Sequence, residues 1–341
     1  MTNASSYFRV AALSLCALLC LGSCSRETAP ERRETVGVTF EVGLAHSRAD
    51  LGPDASVSTL DILIFRSATG SVEGHVRGSG TRVNAEVLKG VQVDCRAVAN
   101  APEGAFASVR TLDDYLSTLC RLDDNAPQRL VMTGGSTFTF TASGTAPLDL
   151  SRLVSKVTLT TLTPVFLGYA YAGSEVHLKG ACLINAVGSV PYAGTATAGD
   201  LWYNRMACDP ALAEGLRALL VKDMDVELTD DNPVDLSQSF YVCPNPVSND
   251  DNALNAPLWS PRSTRLVLEV EIGGLTNYYP VTLPAMEGNT EYRITDLRLL
   301  GPGSSNPDLP VSRQVIDYTV MVNPWGEVSQ PLVMDEDVTQ P

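Results

Sequence analysis

Between Thr35 and Leu44 apolar and polar residues alternate without a break: Val36, Val38, Phe40 and Val42 fall on one side, Thr35, Gly37, Thr39 and Glu41 on the other. A period of two marks a strand with one buried face and excludes an amphipathic helix over the same stretch. The idiom recurs. Residues 60–65 (LDILIF) are apolar on both faces apart from Asp61, which predicts a central strand covered on two sides. Residues 91–99, 137–141, 152–160, 177–185, 278–283, 292–300 and 315–322 read as further strands. So do residues 266–272, where Leu266, Leu268, Val270 and Ile272 face inward and Glu269 and Glu271 outward.

Two segments change period. Leu112, Tyr115, Leu116, Leu119 and Leu122 follow helical spacing behind Thr111, and Asp114 is placed to complete a capping box. Asp209-Pro210 opens a second predicted helix carrying Leu212, Leu216, Leu219 and Leu220. The expected fold is mainly β: two β-sandwich domains, transthyretin-like or Greek-key, with a few short helices. The expected divisions are 1–23 as a leader, 24–48 as a tether plus first strand, 49–163 as one sandwich and 164–341 as the other, the boundary falling near Leu162-Thr163-Pro164.

The leader sets the compartment. Arg9 precedes an apolar run from Val10 to Leu21, a length suited to a cleaved signal and too short to span a bilayer. The run closes on Leu21-Gly22-Ser23-Cys24, a bacterial lipoprotein signal in which Cys24 becomes the lipid-bearing N-terminus. Two or three acyl chains hold a protein firmly, each buried methylene adding roughly 0.8 kcal/mol. Residues 25–34 (SRETAPERRE) are polar and aperiodic, as a tether would be.

The formal net charge is −15, which repels nucleic acid and anionic membrane and argues against a nucleic-acid binder. Charged residues make up only 18% and hydrophobic ones 44%, enough for packed cores. Beyond the leader the cysteines are Cys95, Cys120, Cys182, Cys208 and Cys243, an odd number without a CxxC pair, so an extended disulfide framework is not expected. One bridge, Cys182 or Cys208 with Cys243, stays open.

No motif points to catalysis, a cofactor or a metal, so the chain reads as a non-enzyme. HExxH, GxSxG, the P-loop and GxGxxG are all missing. His46, His75 and His177 are widely spaced in bland surroundings. Asp123-Asp124, Asp230-Asp231 and Asp250-Asp251 lie beside Asn or Pro and match no calcium loop, so they read as solvated turns. Trp202-Tyr203 and Trp259 suit a core or interface anchor better than a sugar platform.

The stretch Asn289-Thr290-Glu291-Tyr292-Arg293-Ile294 leads into Gly301-Pro302-Gly303-Ser304-Ser305-Asn306-Pro307 and then, after residues 314–322, Asn323-Pro324-Trp325. In this order the motifs resemble the Bacteroidetes fimbrillins, the type V pilins. Residues 60–65, 90–102 and 148–159 resemble the family's first core strand, its "G…V…AN" strand and turn, and its "L-x-x-R…K/R-V" strand. With the lipoprotein signal, the resemblance runs over nearly the whole chain.

The resemblance implies a fimbrial subunit exported as an outer-membrane lipoprotein. A trypsin-like, Arg-specific protease removes its first strand, and a strand from another subunit refills the groove, leaving the protein in a cell-surface fimbrium. Arg48 suits the cut, since it follows the strand Thr35–Leu44 in a loop of turn formers; Arg32-Arg33 is a rival that would free the lipid but keep the strand. The removable strand then carries Val36, Val38, Phe40 and Val42. Tyr318, Val320, Val322 and Trp325 are the expected donor residues, with Val328, Leu332 and Val333 following. The acidic Met334-Asp335-Glu336-Asp337 departs from the family pattern and leaves the donor register open. A different class is a permanently anchored surface lipoprotein, as pilus anchor, tip adhesin or glycan binder, meeting a host receptor or glycan.

Overall fold

The structure, a computed structural model, describes residues 34–44, 53–166, 171–195, 199–248 and 258–325. Contacts divide the chain into residues 1–34 and 35–341; of the first, only Glu34 is described. The first half of the second unit carries β1 (Thr35–Leu44), β2 (Thr59–Arg66), β3 (Val72–Ser79), β4 (Arg82–Leu88), β5 (Gln92–Ala99), α1 (Leu112–Ser117), β6 (Leu119–Arg121), β7 (Met132–Thr139) and β8 (Gly144–Arg152). Next come β9 (Ser155–Pro164), β10 (Val176–Ile184), β11 (Ala186–Val187), β12 (Ser189–Pro191), β13 (Trp202–Tyr203), α2 (Glu214–Leu220) and β14 (Val221–Glu227). The last strands are β15 (Val234–Val242), β16 (Arg265–Ile272), β17 (Leu275–Thr282), β18 (Thr290–Leu299) and β19 (Ile316–Pro324).

The mainly β reading holds. A seven-stranded sheet runs β3-β2-β5-β7-β8-β1-β4, and two four-stranded sheets run β14-β10-β16-β17 and β15-β9-β18-β19. The seven-stranded sheet folds on itself. Leu60, Ile62, Ile64, Val93, Cys95 and Ala97 from β2 and β5 share one core with Phe40, Val83, Val87 and Leu148 from β1, β4 and β8. The four-stranded sheets face each other across a second core, in which Leu266, Leu268 and Val270 meet Val157, Leu159, Phe240 and Ile294. Leu63, Phe65 and Val98 join that second core with Tyr115 of α1. This is why β2 is buried on both faces, as its sequence predicted.

Asp61, 1% exposed, is satisfied by Nη1 of Arg77 at 2.7 Å and by Nε2 of His75 at 2.9 Å. The surroundings of His75 are therefore not bland. It lies against a buried carboxylate on one side and the edge of the Phe106 ring on the other.

The strand expected at 152–160 is drawn differently. Arg152 ends β8, and Leu153-Val154 separates it from β9. β9 then pairs with β15 and β18, so the chain changes sheets just after Arg152.

Both helices are shorter than their spacing implied. Thr111 and Asp114 do form the capping box, but α1 ends at Ser117. Leu119 to Arg121 pairs instead with Ser189 to Pro191, a tertiary pairing that overrides helical spacing and leaves Leu119 54% exposed. At Asp209 the carboxylate accepts the Ala211 amide in a turn, and α2 begins only at Glu214, with Leu216, Leu219 and Leu220 buried as expected.

The cysteine pairing also differs from the one left open. Cys182 bridges Cys208, with Cα atoms 6.4 Å apart, tying β10 to the loop before α2. Cys243, Cys95 and Cys120 are free and buried. Burial pushes the Cys95 thiol up to about 12 and those of Cys120 and Cys243 upward as well, so none is a nucleophile near neutral pH.

Candidate functional site

Among the described residues no helix is long and apolar enough to cross a membrane, and no cluster of three or more His, Cys, Asp or Glu could hold a metal ion. A cleft of about 330 Å³ beside the Cys182–Cys208 bridge is lined by Lys179, Lys222, Glu269 and Tyr278, without a nucleophile paired to a base. Trp202 is buried, stands edge-on to Trp259 at 5.4 Å and donates its Nε1–H to Gly199. The Arg205 guanidinium covers the Trp259 ring at 4.4 Å. These aromatics are packed anchors.

The distinctive local arrangement is β1. Val38 and Phe40 are 1% and 0% exposed, and Val36 and Val42 are buried with them. The strand runs antiparallel to β4, with Val38 opposite Ala85 and Phe40 opposite Val83. On its other side it runs parallel to β8, with Phe40 opposite Ala146 and Leu44 opposite Leu150. Phe40 also meets Phe140 edge-to-face at 6.2 Å. On the outer face the contacts are light: Glu41 bonds Arg82 at 2.6 Å and the Thr39 hydroxyl donates to Asn84 at 2.8 Å.

β1 joins two strands that otherwise have little hold on the sheet. β4 is the sheet edge, with β1 as its ladder partner. β8 pairs with β7 only at Ser151 and Arg152, so residues 144–150 of β8 rely on β1. Taking β1 out would open a ten-residue slot between β4 and β8, lined by Val83, Ala85, Val87, Ala146, Leu148 and Leu150. Four buried side chains at about 1.5–3 kcal/mol each place the hydrophobic contact at about 6–12 kcal/mol, and the open edges would leave backbone groups unpaired.

Cys24 and Arg48, with His46, lie outside the described residues. Tyr318, Val320, Val322 and Trp325 are described, and they are engaged in their own subunit. β19 pairs with β18, Val320 opposite Ile294 and Val322 opposite Tyr292. Val320 and Trp325 are each only 7% exposed. These four residues are thus not a loose extension, because donating them would require unzipping β19 from β18.

One grouping has no counterpart in the sequence reading. Asp54, in a 3-10 turn at Pro53–Ala55, accepts hydrogen bonds from the Tyr241 hydroxyl at 2.9 Å and Lys156 Nζ at 3.0 Å, and its carbonyl accepts Arg152 Nε at 3.1 Å. Trp325 stacks on Tyr241 at 5.9 Å, beneath the Arg152 guanidinium at 4.4 Å. Burial, then the Asp54 charge, raises the Tyr241 phenol, and burial lowers Arg152. Only Arg152 and Lys156 of these five are near one another in the chain, so no local pattern marks the group.

No family model and no curated protein matches the sequence. Solved structures do. A candidate cell adhesion protein from Bacteroides eggerthii superposes with a TM-score of 0.66 at 18% identity, over 86% of this chain and 97% of its own. Another from Parabacteroides distasonis gives 0.63 at 19%, over 87% and 100%. A fimbrilin from Porphyromonas gingivalis gives 0.61 at 18%, over 87% and 99%. The chain therefore has the fold of a Bacteroidetes fimbrilin, the fold that the Asn289 to Trp325 motifs implied.

Proposed function

We propose that this protein is a structural subunit of a cell-surface fimbria, exported as a lipoprotein through Cys24 and polymerised when β1 is replaced by a strand of another subunit. The observation that carries the reading is the position of β1, the ladder partner of both β4 and residues 144–150 of β8. A loop cut after Arg48 by an Arg-specific protease would detach residues 24–48 with the lipid and the strand. The incoming strand must satisfy the same edges, so it runs parallel to β8 and antiparallel to β4, presenting alternate apolar side chains. β19 is seated on β18, so the donor extends beyond Trp325 into the stretch holding Val328, Leu332 and Val333, or β19 unzips with it.

Limited trypsin digestion tests this. The expected result is release of an N-terminal piece ending at Arg48, followed by ladders that survive SDS without heating. An Arg48→Ala chain should accumulate as lipidated, unpolymerised precursor. A cut chain that stays a stable monomer would sink the proposal. The close seating of Val320 and Trp325 favours one rival, a permanently anchored surface lipoprotein meeting a glycan or host protein; its cut would release no polymerising species.

A further inference from the structure

The two chain segments that the proposed assembly sets in motion meet at one cluster. Arg48 lies six residues before Asp54, and Trp325 closes β19 at the head of the remaining C-terminal stretch. Asp54 is 8%, Arg152 5%, Tyr241 6% and Trp325 7% exposed. Asp54 anchors Tyr241 and Lys156 from β15 and β9, and these side chains together with Arg152 form the walls around the Trp325 indole, Lys156 Nζ lying 5.3 Å from its centroid. The Trp325 backbone is fixed as well, its main-chain N–H donating to the Asn289 carbonyl at 2.9 Å, while Asn289 Oδ1 accepts from the main-chain amide and the guanidinium of Arg152 at 3.3 Å. Asn289 holds this position at a φ of 54°.

Both supports of the cluster lead back to β1. Leu44, the last residue of β1, pairs with Leu150 of β8, and β8 runs on to Arg152. Asp54 follows the same strand along the chain, so in the uncut protein it is covalently tied to β1. Cutting the 45–52 connection turns it into a residue near a free end, and free ends fray. Losing β1 also strips residues 144–150 of β8 of their ladder partner, so the strand that leads to Arg152 is held only by the β7 pairing at Ser151 and Arg152.

We infer that the Asp54–Lys156–Tyr241–Arg152 cluster is a clasp on Trp325 that keeps β19 zipped to β18 until β1 leaves, so that the state of the N-terminal segment is read at the C-terminus. Its bearing on assembly rests on the polymerisation reading above. The clasp itself does not, because it can be tested in the unpolymerised chain. It uses weak links in parallel: an ion pair, a phenol hydrogen bond and two cation–π contacts, each small alone and dependent on the others for geometry.

Hydrogen exchange on the full chain, followed by mass spectrometry, tests it. Asp54→Ala should speed exchange across Ile316–Pro324 by at least about tenfold while Arg265–Ile272 keeps its protection. Tyr241→Phe, which deletes only the hydroxyl, should give a smaller rise in the same peptides and serves if the alanine variant does not fold. Limited cutting of the wild-type chain at Arg48 should reproduce the pattern. A folded variant or a cut chain whose Ile316–Pro324 peptides exchange like the intact wild type overturns the inference. SDS-resistant ladders are scored separately. Chains that loosen β19 without forming ladders refute polymerisation and support the clasp, whereas ladders formed with β19 still protected refute the clasp.

Discussion

Phe40→Ala is expected to destabilise the uncut chain by about 3–5 kcal/mol, the usual cost of emptying a fully buried aromatic site. The site is well defined: Phe40 is 0% exposed, stands edge-on to Phe140, and lies between Ala146 on β8 and Val83 on β4. Its neighbours belong to strands with few other ladder contacts, so the cavity has little rigid frame to collapse onto and part of the cost appears as loosening of β4. Denaturant melts of the wild-type and variant precursors measure this directly.

The informative comparison is with the processed form. If residues 24–48 depart, Phe40 departs with them, and assembled material made from the variant should melt like wild type. Leu148→Ala changes the wall of the same slot but stays with the subunit. It should cost about 2–5 kcal/mol in both forms. A Phe40 effect that persists after cutting and assembly would mean that β1 never left, and with it the proposed function falls. Before cutting, the variant should also release the strand faster, since the side chain with the deepest seat no longer holds it.

What the sequence displays and what it conceals divide along physical lines. β1 and β2 are legible because alternation, or its suppression by two-sided burial, is written in adjacent residues. The capping box at Thr111 and Asp114 is legible for the same reason. The length of α1 is not, because Leu119 to Arg121 is claimed by a partner strand some seventy positions away. The start of β8, before Leu148, escapes notice because Pro147 interrupts it, and Pro is tolerated there because residues 144–150 lack a ladder partner on the β7 side. β3 and β14 bury no residue fully, so they carry no hydrophobic period to read. The Cys182–Cys208 bridge cannot be deduced from an odd cysteine count. The alternation of Tyr318, Val320 and Val322 marks a strand, but period alone does not say whose sheet it joins. The Asp54 cluster is wholly tertiary, and so is the burial of arginine beneath the Gly301 to Pro307 loop.

That second arginine site yields the other large expected effect. Asp308→Ala should destabilise the protein by about 3–5 kcal/mol, because it strands two arginines in the interior. Arg265 and Arg262 are 0% and 3% exposed, and both guanidinium groups reach Asp308, at 2.8 Å to Oδ1 and 2.6 Å to Oδ2. Asn185 adds a third donor at 2.6 Å. The carboxylate sits just past Asn306-Pro307, and Asn306 Oδ1 accepts the Asp308 amide at 2.9 Å, so the turn in the resemblance motif presents the acid. Asp308→Asn keeps the shape and an acceptor while removing the charge, and separates electrostatic loss from packing loss. Arg82→Ala, which breaks the exposed pair with Glu41, supplies the surface comparison at about 0–1 kcal/mol. Urea melts of the three variants should rank Asp308→Ala lowest, Asp308→Asn between, and Arg82→Ala near wild type. Near-equal melts for Asp308→Ala and Arg82→Ala would show that the loop does not anchor the second core. If the ranking holds, the Gly301 to Pro307 motif is a structural lock: it carries one acid into the sandwich to pair with both Arg262 and Arg265, and thereby fixes the chain between β18 and β19, the strand that leads to the C-terminal stretch.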